Sequence, residues 1–328
     1  MSTRAKIIEA LSEAGEDHVS GHDLAENLGI SRNAVWKHIE TLRVRGYVIE
    51  STHARGYRLS SAPDALTREA IEPHLETEWL GRSLVCHDVT GSTNDDAGVL
   101  ARDGAPEGTV VLADAQTAGR GRLGRDWVSR PRLNLYASLL LRPKIAPADA
   151  PQLSLVAGVA VAHALERVGL EPGIKWPNDV LIDGRKVCGV LTEIEAEADM
   201  VGSVVVGIGV NLNSERDDFP EELQDRAVSV LMATGAKVNR AFFVATLLEC
   251  FERAYERWRD GGFGPLKDDW ERRATLLGKP VEVAAASATT TGICVGIDSD
   301  GALLLKGDDN EVRRVIAGDV TLVGGYEG

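Results

Sequence analysis

Apolar residues recur at helical spacing in three short stretches at the start of the chain. Gly29 ends the second stretch, and Ser31, a residue type that caps helix N-termini, precedes the third. Two runs of strand-forming residues, at 47–50 and 56–59, come next. This order of three helices and a hairpin predicts a winged helix-turn-helix domain over residues 1–62.

The middle of the chain alternates predicted strands with predicted helices. The runs assigned to strands are 109–113, 134–141, 180–182, 186–194 and 201–210. A buried helix at 149–168 and an amphipathic helix at 240–259 accompany them. Asp183-Gly184 separates two of the strands and suits a type I′ hairpin turn, so antiparallel pairs are expected. We therefore predict an α+β domain with a mixed sheet over residues 63–277, in preference to a doubly wound parallel sheet.

From residue 278 the pattern changes to short strands with few residues between them. These runs are 281–283, 291–297, 302–306, 311–316 and 320–323. About 50 residues of this kind are typical of a small closed β-barrel, which we predict as a third domain over 278–328.

The composition is that of an ordinary folded protein. Hydrophobic residues make up 44% of the 328 residues and charged residues 26%. No apolar run approaches the roughly 20 residues that would span a bilayer, and the N-terminus carries no apolar segment of the secretory kind. We expect a cytoplasmic protein that does not associate with a membrane. The four cysteines form no Cys-x-x-Cys pair, so neither a metal site of their own nor a disulfide framework is expected.

Charge is distributed unevenly along the chain. The 50 acidic and 36 basic residues give a net charge of -14, which argues against a protein that mainly coats a polyanion. Residues 31–58 are the exception, because they hold six bases and only two acids. This stretch is a candidate anion-binding surface.

The third predicted helix lies in this basic stretch. Val35, Ile39 and Leu42 share its apolar face, and polar residues near its start lie opposite, where a recognition helix meets base edges. The predicted DNA-binding residues are Ser31, Arg32, Asn33, Trp36, Lys37 and, in the hairpin, Arg55. Small helical domains also mediate protein contacts, and that alternative stays open.

Glycine and arginine alternate in the run at 116–127. The spacing Gly119-x-Gly121-x-x-Gly124 matches the dinucleotide-binding pattern, but a strand follows in place of the helix that this pattern requires. Glycines let the backbone approach a ligand closely, and forked guanidinium groups suit phosphate oxygens or a carboxylate. The arginines of the run are Arg120, Arg122 and Arg125. We predict an anion-binding loop, with a flexible basic loop as the alternative; Trp127 would either stack on a base or pack as core.

The segment at 175–179 reads Lys-Trp-Pro-Asn-Asp. Proline excludes the preceding residue from helical conformation, so the polar residues are presented from a rigid turn. A lysine, an amide and a carboxylate close together can grip a polyphosphate and its Mg²⁺; the alternative is a well-capped turn. Alternate residues of the strand that starts at Lys186 and of the strand that ends at 207–213 would line one cleft.

Five segments together resemble the biotin protein ligases, in their order and at their spacings. They are 91–94 (Gly-Ser-Thr-Asn), 116–127, 175–179, 184–190 and 207–213. With the winged helix, the resemblance covers nearly the whole chain and extends to the bifunctional members that also repress biotin genes. It implies a central mixed-sheet catalytic domain of the biotin/lipoate ligase type and a small C-terminal SH3-like β-barrel.

The resemblance also implies an activity and partners. Such ligases condense biotin with ATP, in the presence of Mg²⁺, to biotinyl-5′-adenylate and pyrophosphate. They then transfer the biotinyl group to one lysine of a biotin carboxyl carrier domain. The implied partners are this acceptor domain, operator DNA and a second copy of the chain in a homodimer. A ligand-sensing transcription factor without ligase chemistry and a lipoate-type ligase on the same architecture are the alternatives.

Site residues follow from the resemblance position by position. The implied biotin-binding residues are Ser92, Thr93, Asn94, Gln116, Gly119, Arg120, Gly121, Arg122, Lys186 and Gly189. The implied ATP-binding residues are Arg122, Arg125, Trp127, Lys175, Asn178, Asp179, Lys186 and Asn211. Lys186, Arg122 and Arg125 are the expected catalytic residues, with Lys186 between the biotin carboxylate and the α-phosphate. No side chain need become covalently modified.

Overall fold

The structure is a computed structural model that describes residues 1–52, 55–197, 200–285 and 288–323. Its residues form two compact units, the first made of Met1–Glu76 with Asn239–Ala245 and the second of the rest of the described chain. His53 and Ala54 of the predicted hairpin turn and residues 324–328 of the predicted third domain lie outside the described residues. The three domain boundaries given above stay predictions.

The first unit contains a winged helix-turn-helix, which confirms the predicted fold of this region. Ser31 caps its third helix, because the Ser31 Oγ accepts a hydrogen bond from Ala34 N at 3.2 Å, and Gly29 ends the second helix at a φ of 64°. The elements are α1 (Thr3–Glu13), α2 (Gly21–Leu28), α3 (Arg32–Val44), β1 (Val48–Thr52), β2 (Gly56–Ser61) and α4 (Arg68–Ile71). The strands β1 and β2 pair antiparallel. The core includes Ile7, Leu11, Leu24, Val35, Ile39 and Leu42.

Acidic residues neutralise half of the six bases between residues 31 and 58. The pairs are Arg43 with Glu40, Arg45 with Glu69, and Arg58 with Glu16 and Glu50. Two of these acids come from outside the basic stretch, so the local composition overstated its positive charge. Arg32, Lys37 and Arg55 have no ion pair within the described part of the chain, and they form the remaining cationic surface.

A seven-stranded mixed sheet forms the centre of the second unit, as predicted. Its strands are β3 (Ser83–Thr90), β4 (Thr109–Gln116), β5 (Leu135–Leu141), β6 (Gly173–Lys175), β7 (Asp179–Ile182), β8 (Arg185–Glu197) and β9 (Met200–Val210). They follow the order β3-β4-β5-β9-β8-β7-β6. The β3–β4 pair is parallel and the other pairs are antiparallel. Asp183 and Gly184 have φ values of 50° and 77°, the positive φ values that the predicted type I′ turn requires.

The α-helices of the second unit are α5 (Thr93–Arg102), α6 (Gln152–Glu166), α7 (Val230–Thr234), α8 (Arg240–Gly261), whose first six residues belong to the first unit, and α9 (Gly264–Glu271). Of these, α5 and α6 pack against the sheet, and α9 packs against α6. By length and composition Pro147–Glu166 could cross a membrane, but 72% of its apolar stretch is buried inside the fold. It is the buried core helix that the sequence predicts at 149–168.

Five elements of the second unit have no counterpart among the predicted elements, namely β6, α7 and α9 and, next to the site, β3 and α5. The strand β3 lies at an edge of the sheet and is mostly half-buried, so its residues show no clean alternation. The helix α5 buries only two alanines, Ala97 and Ala101, besides the polar residues of its first turn. Neither β3 nor α5 therefore carries the apolar pattern from which sequence-based assignment starts.

The end of the described chain forms a five-stranded antiparallel sheet. Its strands are β10 (Pro280–Ala284), β11 (Thr289–Ile297), β12 (Leu303–Lys306), β13 (Val312–Val315) and β14 (Asp319–Leu322), in the order β13-β12-β11-β10-β14. Val281, Leu303 and Leu305 are fully buried in it. The Trp176 indole Nε1 donates a hydrogen bond to Gly301 O at 3.1 Å, which ties this sheet to the turn after β6.

Candidate active site

One cavity, with a volume of about 1580 Å³, brings together nearly all of the ligand-binding residues that the sequence predicts. The predicted residues on its wall are Ser92, Thr93, Asn94, Gln116, Arg120, Gly121, Arg122, Arg125, Trp127, Lys175, Asn178, Asp179, Lys186, Gly189 and Asn211. They come from the start of α5, the end of β4, the glycine and arginine run, the turn after β6, β8 and the end of β9. Residues spread from position 92 to position 211 thus form one surface.

Buried polar side chains at the start of α5 form part of this wall. The Gln116 Oε1 accepts hydrogen bonds from Thr93 N at 2.9 Å and from Thr93 Oγ1 at 3.1 Å. The Ser138 Oγ lies 2.8 Å from Thr93 Oγ1 and 2.6 Å from Asn94 Oδ1, and its single proton can be donated to either. This cluster of neutral donors and acceptors suits a neutral polar group of a ligand.

The glycine and arginine run folds back on itself in a closed turn. Gly121 N donates to Arg125 O at 2.7 Å, and Trp127 N donates to Gly119 O at 2.9 Å. Gly119 is buried at the base of this turn and does not line the cavity. A Cβ at this position would lie 2.6 Å from Ser129 Oγ and 2.7 Å from Trp127 O, so the missing side chain makes room for these neighbouring atoms.

Each arginine of the run has a carboxylate partner. Arg120 donates to both oxygens of Asp95, at 2.8 Å and 2.6 Å, and these hydrogen bonds lower the pKa of Asp95. Arg122 Nη1 lies 3.5 Å from Asp319 Oδ1, and Arg125 also pairs with Asp319. Arg122 and Arg125 therefore already hold one anionic group of this chain between them, whereas Arg120 is engaged on a different carboxylate.

Hydrogen bonds hold the turn at 175–179 against its neighbours. The Asn178 Nδ2 donates to Val190 O at 2.8 Å, and the Asn178 Oδ1 accepts from Arg122 Nη1 at 3.1 Å. Trp176 is buried, and its peptide bond to Pro177 is cis. The turn thus connects the sheet to the arginine run, and it presents its polar residues to the cavity.

Lys186 lies between a carboxylate and an aromatic ring. Its Nζ is 2.6 Å from Asp179 Oδ1 and 5.4 Å from the centroid of the Trp127 ring. The indole rests on Gly189 and Gly209, which face each other across β8 and β9. A Cβ at Gly209 would lie 2.5 Å from Trp127 Cε2. The ring can adopt this position only because both facing residues lack a side chain.

Asn211 and Lys175 lie at strand ends on the cavity wall. The Asn211 Nδ2 donates to Lys186 O at 3.3 Å and to Val228 O at 3.2 Å. This side chain is 4% exposed and binds the backbone that carries Lys186. Lys175 ends β6 and is half-buried, so its ammonium group adds positive charge to the wall.

The site offers cations and neutral polar groups in place of an activated nucleophile. Cys188 is fully buried, and burial raises the pKa of its thiol well above the usual value. Lys186, Arg122 and Arg125 can stabilise negative charge that develops on a ligand. The arrangement suits a reaction between two anionic reactants, such as a carboxylate and a polyphosphate.

Carboxylates of the cavity wall are the side chains that could help to bind Mg²⁺. Among the described residues, no group of three or more His, Cys, Asp or Glu side chains could hold a metal ion by itself. Mg²⁺ usually keeps several waters and binds through one or two carboxylates together with substrate phosphates. Asp179, beside Asn178, is a carboxylate of this kind and fits such a shared site.

Sequence reasoning missed several residues of the site, among them Ser138, Gly209 and Asp319. Ser138 is a lone polar residue in an otherwise apolar strand, which is a signal that could have found it. Gly209 belongs to the run at 207–213, but its contact with Trp127 depends on the loop conformation. Asp319 is one of many acids in the sequence, and no local pattern distinguishes it.

The predicted DNA-binding residues lie in the first unit, and all six are exposed. The Ser31 Oγ is the cap of α3 and is already hydrogen-bonded to Ala34 N. Arg32, Asn33 and Lys37 project from the first turns of the same helix, and Arg55 is exposed next to β2. The structure therefore leaves this surface open to a ligand.

Comparison with known proteins supplies the family. The HTH domain family matches residues 3–58, the biotin/lipoate A/B protein ligase family residues 88–211, and the biotin protein ligase C terminal domain residues 276–323. The bifunctional ligase/repressor BirA of Bacillus subtilis (strain 168) is 44% identical over 320 residues, which are 97% of this chain and 98% of the relative. The BirA protein of Escherichia coli (strain K12) is 34% identical over 319 residues, which are 97% and 96% of the two chains.

A solved structure agrees with the fold over most of the chain. The biotin protein ligase from Aquifex aeolicus in complex with biotin and ATP has a TM-score of 0.63 to this chain at 31% identity. The match covers 74% of this chain and 98% of the other. Because the similarity to the BirA proteins extends over the winged helix, the central sheet and the C-terminal sheet, the chain belongs to the family of bifunctional ligase/repressors, with a catalytic part of the biotin/lipoate protein ligase type.

Proposed function

We propose that this chain is an ATP-dependent biotin protein ligase that is also a biotin-responsive transcriptional repressor. One observation carries the ligase half: cationic side chains from separate segments, Arg122, Arg125, Lys175 and Lys186, line the same cavity as the buried polar cluster of α5. The cavity volume of about 1580 Å³ exceeds the roughly 300–1,000 Å³ of ordinary ligand pockets. It therefore has room for two substrates side by side.

Biotin would bind at the polar cluster. Ser92, Thr93, Asn94 and Gln116 would hydrogen-bond the ureido group, because these side chains are neutral and largely buried. Gly121, Arg120 and Gly189 would flank the ring and the acyl chain. This orientation directs the biotin carboxylate toward Lys186.

ATP would bind at the cationic part of the wall. Arg122 and Arg125 would exchange the Asp319 carboxylate for phosphate oxygens, since forked guanidinium groups bind both anions. Trp127 would cover the adenine. Lys175, Asn178, Asp179 and Asn211 would position the triphosphate, the ribose or the metal ion.

Lys186 would act on the reacting atoms. A carboxylate oxygen of biotin attacks the α-phosphorus, the bond to the β-phosphate breaks, and pyrophosphate leaves with that electron pair. The Lys186 ammonium, held 2.6 Å from Asp179, would stabilise the negative charge that both reactants bring together. One such group contributes about 10²–10³-fold in rate.

Mg²⁺ would be held by Asp179 and by phosphate oxygens, where it neutralises charge on the polyphosphate. The acceptor would be one lysine of a biotin carboxyl carrier domain, whose ε-nitrogen attacks the acyl carbon of the adenylate and releases AMP. One relative, the biotin--[acetyl-CoA-carboxylase] ligase of Paracoccus denitrificans, is 41% identical over 72% of this chain. This similarity favours a carboxylase carrier as the acceptor.

Mass spectrometry tests the ligase half. The full chain is incubated with biotin, ATP, Mg²⁺ and a carrier domain, and the added biotinyl mass and the released pyrophosphate are measured together. Lys186→Met is expected to lose about 10²–10³-fold in adenylate formation, and the exposed Lys144→Met is the matched control. Absence of both products with folded wild-type protein would favour a ligand-sensing transcription factor. Preference for lipoate over biotin would favour the lipoate-type alternative.

The winged helix-turn-helix would carry the repressor function. The exposed Arg32, Lys37 and Arg55 would contact DNA phosphates, and a homodimer would place two such domains on a two-fold operator. Biotin and ATP are expected to tighten binding to DNA upstream of biotin genes in a gel-shift titration. We expect this function in the cytoplasm, where ATP, the carrier and the DNA are present together.

A further inference from the structure

A tryptophan stands exposed on the polar face of the helix α3. Trp36 is 50% exposed, whereas Val35, Ile39 and Leu42 on the other face are fully buried. An indole is among the largest apolar side chains, and covering it stabilises a complex by an amount proportional to the area removed from water. A partner that covers Trp36 would therefore be bound more tightly.

The neighbours of Trp36 indicate the charge of that partner. Arg32 precedes it by four residues and Asn33 by three, so in a helix with 3.6 residues per turn they lie beside it, and Lys37 borders the same surface. All three are exposed. Neither Arg32 nor Lys37 has an ion-pair partner in the described part of the chain. An apolar ring surrounded by unneutralised cations fits a polyanion that also presents apolar groups.

Duplex DNA presents such a surface in its major groove. There the C5-methyl group of thymine is the exposed apolar feature of a base edge, and phosphates line both sides of the groove. The amide of Asn33 suits the N6 and N7 atoms of adenine. A tryptophan and an asparagine side by side thus fit neighbouring A·T pairs.

We infer that Trp36 is a specificity-determining residue of the DNA-binding surface and that its indole contacts thymine C5-methyl groups. The inference rests on the proposed repressor function. It goes beyond that function because it names the base and the atom that are recognised. Arg32 and Lys37 supply affinity for any sequence through phosphates, whereas Trp36 supplies discrimination.

Replacement of thymine by deoxyuridine tests the contact directly, because it removes only the C5-methyl group. The probe is the duplex that the full-length chain, with biotin and ATP, enriches from a randomised library. Each thymine of its half-site is replaced in turn, and the dissociation constant is measured. Wild-type binding is expected to weaken about fourfold at one or two positions, which corresponds to one buried methyl-sized group.

Variants assign the effect to the side chain. Trp36→Ala is expected to bind the all-thymine duplex about tenfold more weakly and to lose the response to deoxyuridine, because the methyl groups then have no indole to contact. Trp36→Phe should retain part of the response. Val44→Ala is the matched control, since Val44 is 89% exposed on the same helix but lies at its C-terminal end. Lys37→Ala should weaken all duplexes equally and keep the response.

The outcomes separate the inference from the repressor function. A wild-type protein that binds its selected duplex but ignores every thymine methyl overturns the inference and leaves the repressor function standing. The same conclusion follows if the selected half-site contains no thymine, or if Trp36→Ala keeps the full response to deoxyuridine. Failure to enrich any duplex would refute both, and would point to a protein partner at this helix.

Discussion

A methyl group at Gly209 is expected to disable the ligase without unfolding it. The Cβ of Gly209→Ala would lie 2.5 Å from Trp127 Cε2 and 2.6 Å from Trp127 Nε1. Carbon atoms in ordinary contact are about 3.5–4.0 Å apart, so the indole must retreat by about 1 Å. Gly189 on the neighbouring strand supports the same ring, and the displacement therefore changes the wall on which both substrates meet.

The position of Trp127 in a loop at the cavity sets the expected loss of rate and the expected loss of stability. A misplacement of about 1 Å at a reaction site can cost about 100-fold in rate, and we expect that loss in kcat/KM for adenylate formation. Trp127 belongs to a loop, so the ring can move, and the stability cost should stay at or below about 1–3 kcal/mol, the range for overpacking. Pyrophosphate exchange measures the first quantity, and thermal unfolding measures the second.

A control and a rescue make this test specific. Gly202→Ala adds a methyl group to the same strand, where the contact is Glu195 O at 3.3 Å and the cavity is not involved, so its rate should stay near the wild-type value. The double variant Gly209→Ala with Trp127→Phe should recover part of the lost rate, because the smaller ring needs less room. A folded Gly209→Ala enzyme that exchanges pyrophosphate at the wild-type rate would refute the role of this contact.

Three further predictions concern other parts of the molecule. Ser138→Ala removes a fully buried hydroxyl group that donates a hydrogen bond to Asn94. One hydrogen bond contributes about 1 kcal/mol, so biotin affinity should fall about fivefold. Calorimetric titrations should show an unchanged affinity for ATP. Burial alone would raise the pKa of Asp269, but hydrogen bonds from His163, Arg273 and Arg272 hold it well below the usual value. The stability that this depressed pKa supplies is present above the unfolded value of about 3.9 and is lost as the pH falls below it. Urea unfolding between neutral and acid pH should show that loss of stability in the wild type. Asp269→Asn should be about 3–5 kcal/mol less stable near neutral pH. A variant with the same stability as the wild type at each pH would contradict this role of Asp269. Arg32→Ala should reduce the slope of log Kd against log salt concentration for DNA binding by about 0.9, at an unchanged melting temperature. Arg43→Ala should instead lower the melting temperature, because Arg43 Nη2 donates to Ile49 O at 2.6 Å. Equal effects of the two variants on the salt slope would contradict the assignment of Arg32 to DNA binding and of Arg43 to folding.

The sequence by itself determined most of the elements and part of the composition of the site. Ser31 as a cap, Asp183-Gly184 as a tight turn and the apolar runs of the central strands act within a few residues, and the physics of such local contacts can be read from a single segment. Two parts of the cavity wall were also predictable, because glycines next to arginines and a rigid turn with a lysine and a carboxylate each signal anion binding before any folding is considered. The other site residues were implied by the resemblance to the biotin protein ligases.

Only the tertiary structure decided which charges remain available and which contacts position them. Asp319 meets Arg122 and Arg125 across about 200 residues of sequence, and Glu69 neutralises Arg45 of the apparent basic stretch. Gly209 supports Trp127 only because β8 and β9 pair in one register. Coulomb energy and steric contact depend on distance in space, and the folding of the whole chain sets that distance for residues that are remote in sequence.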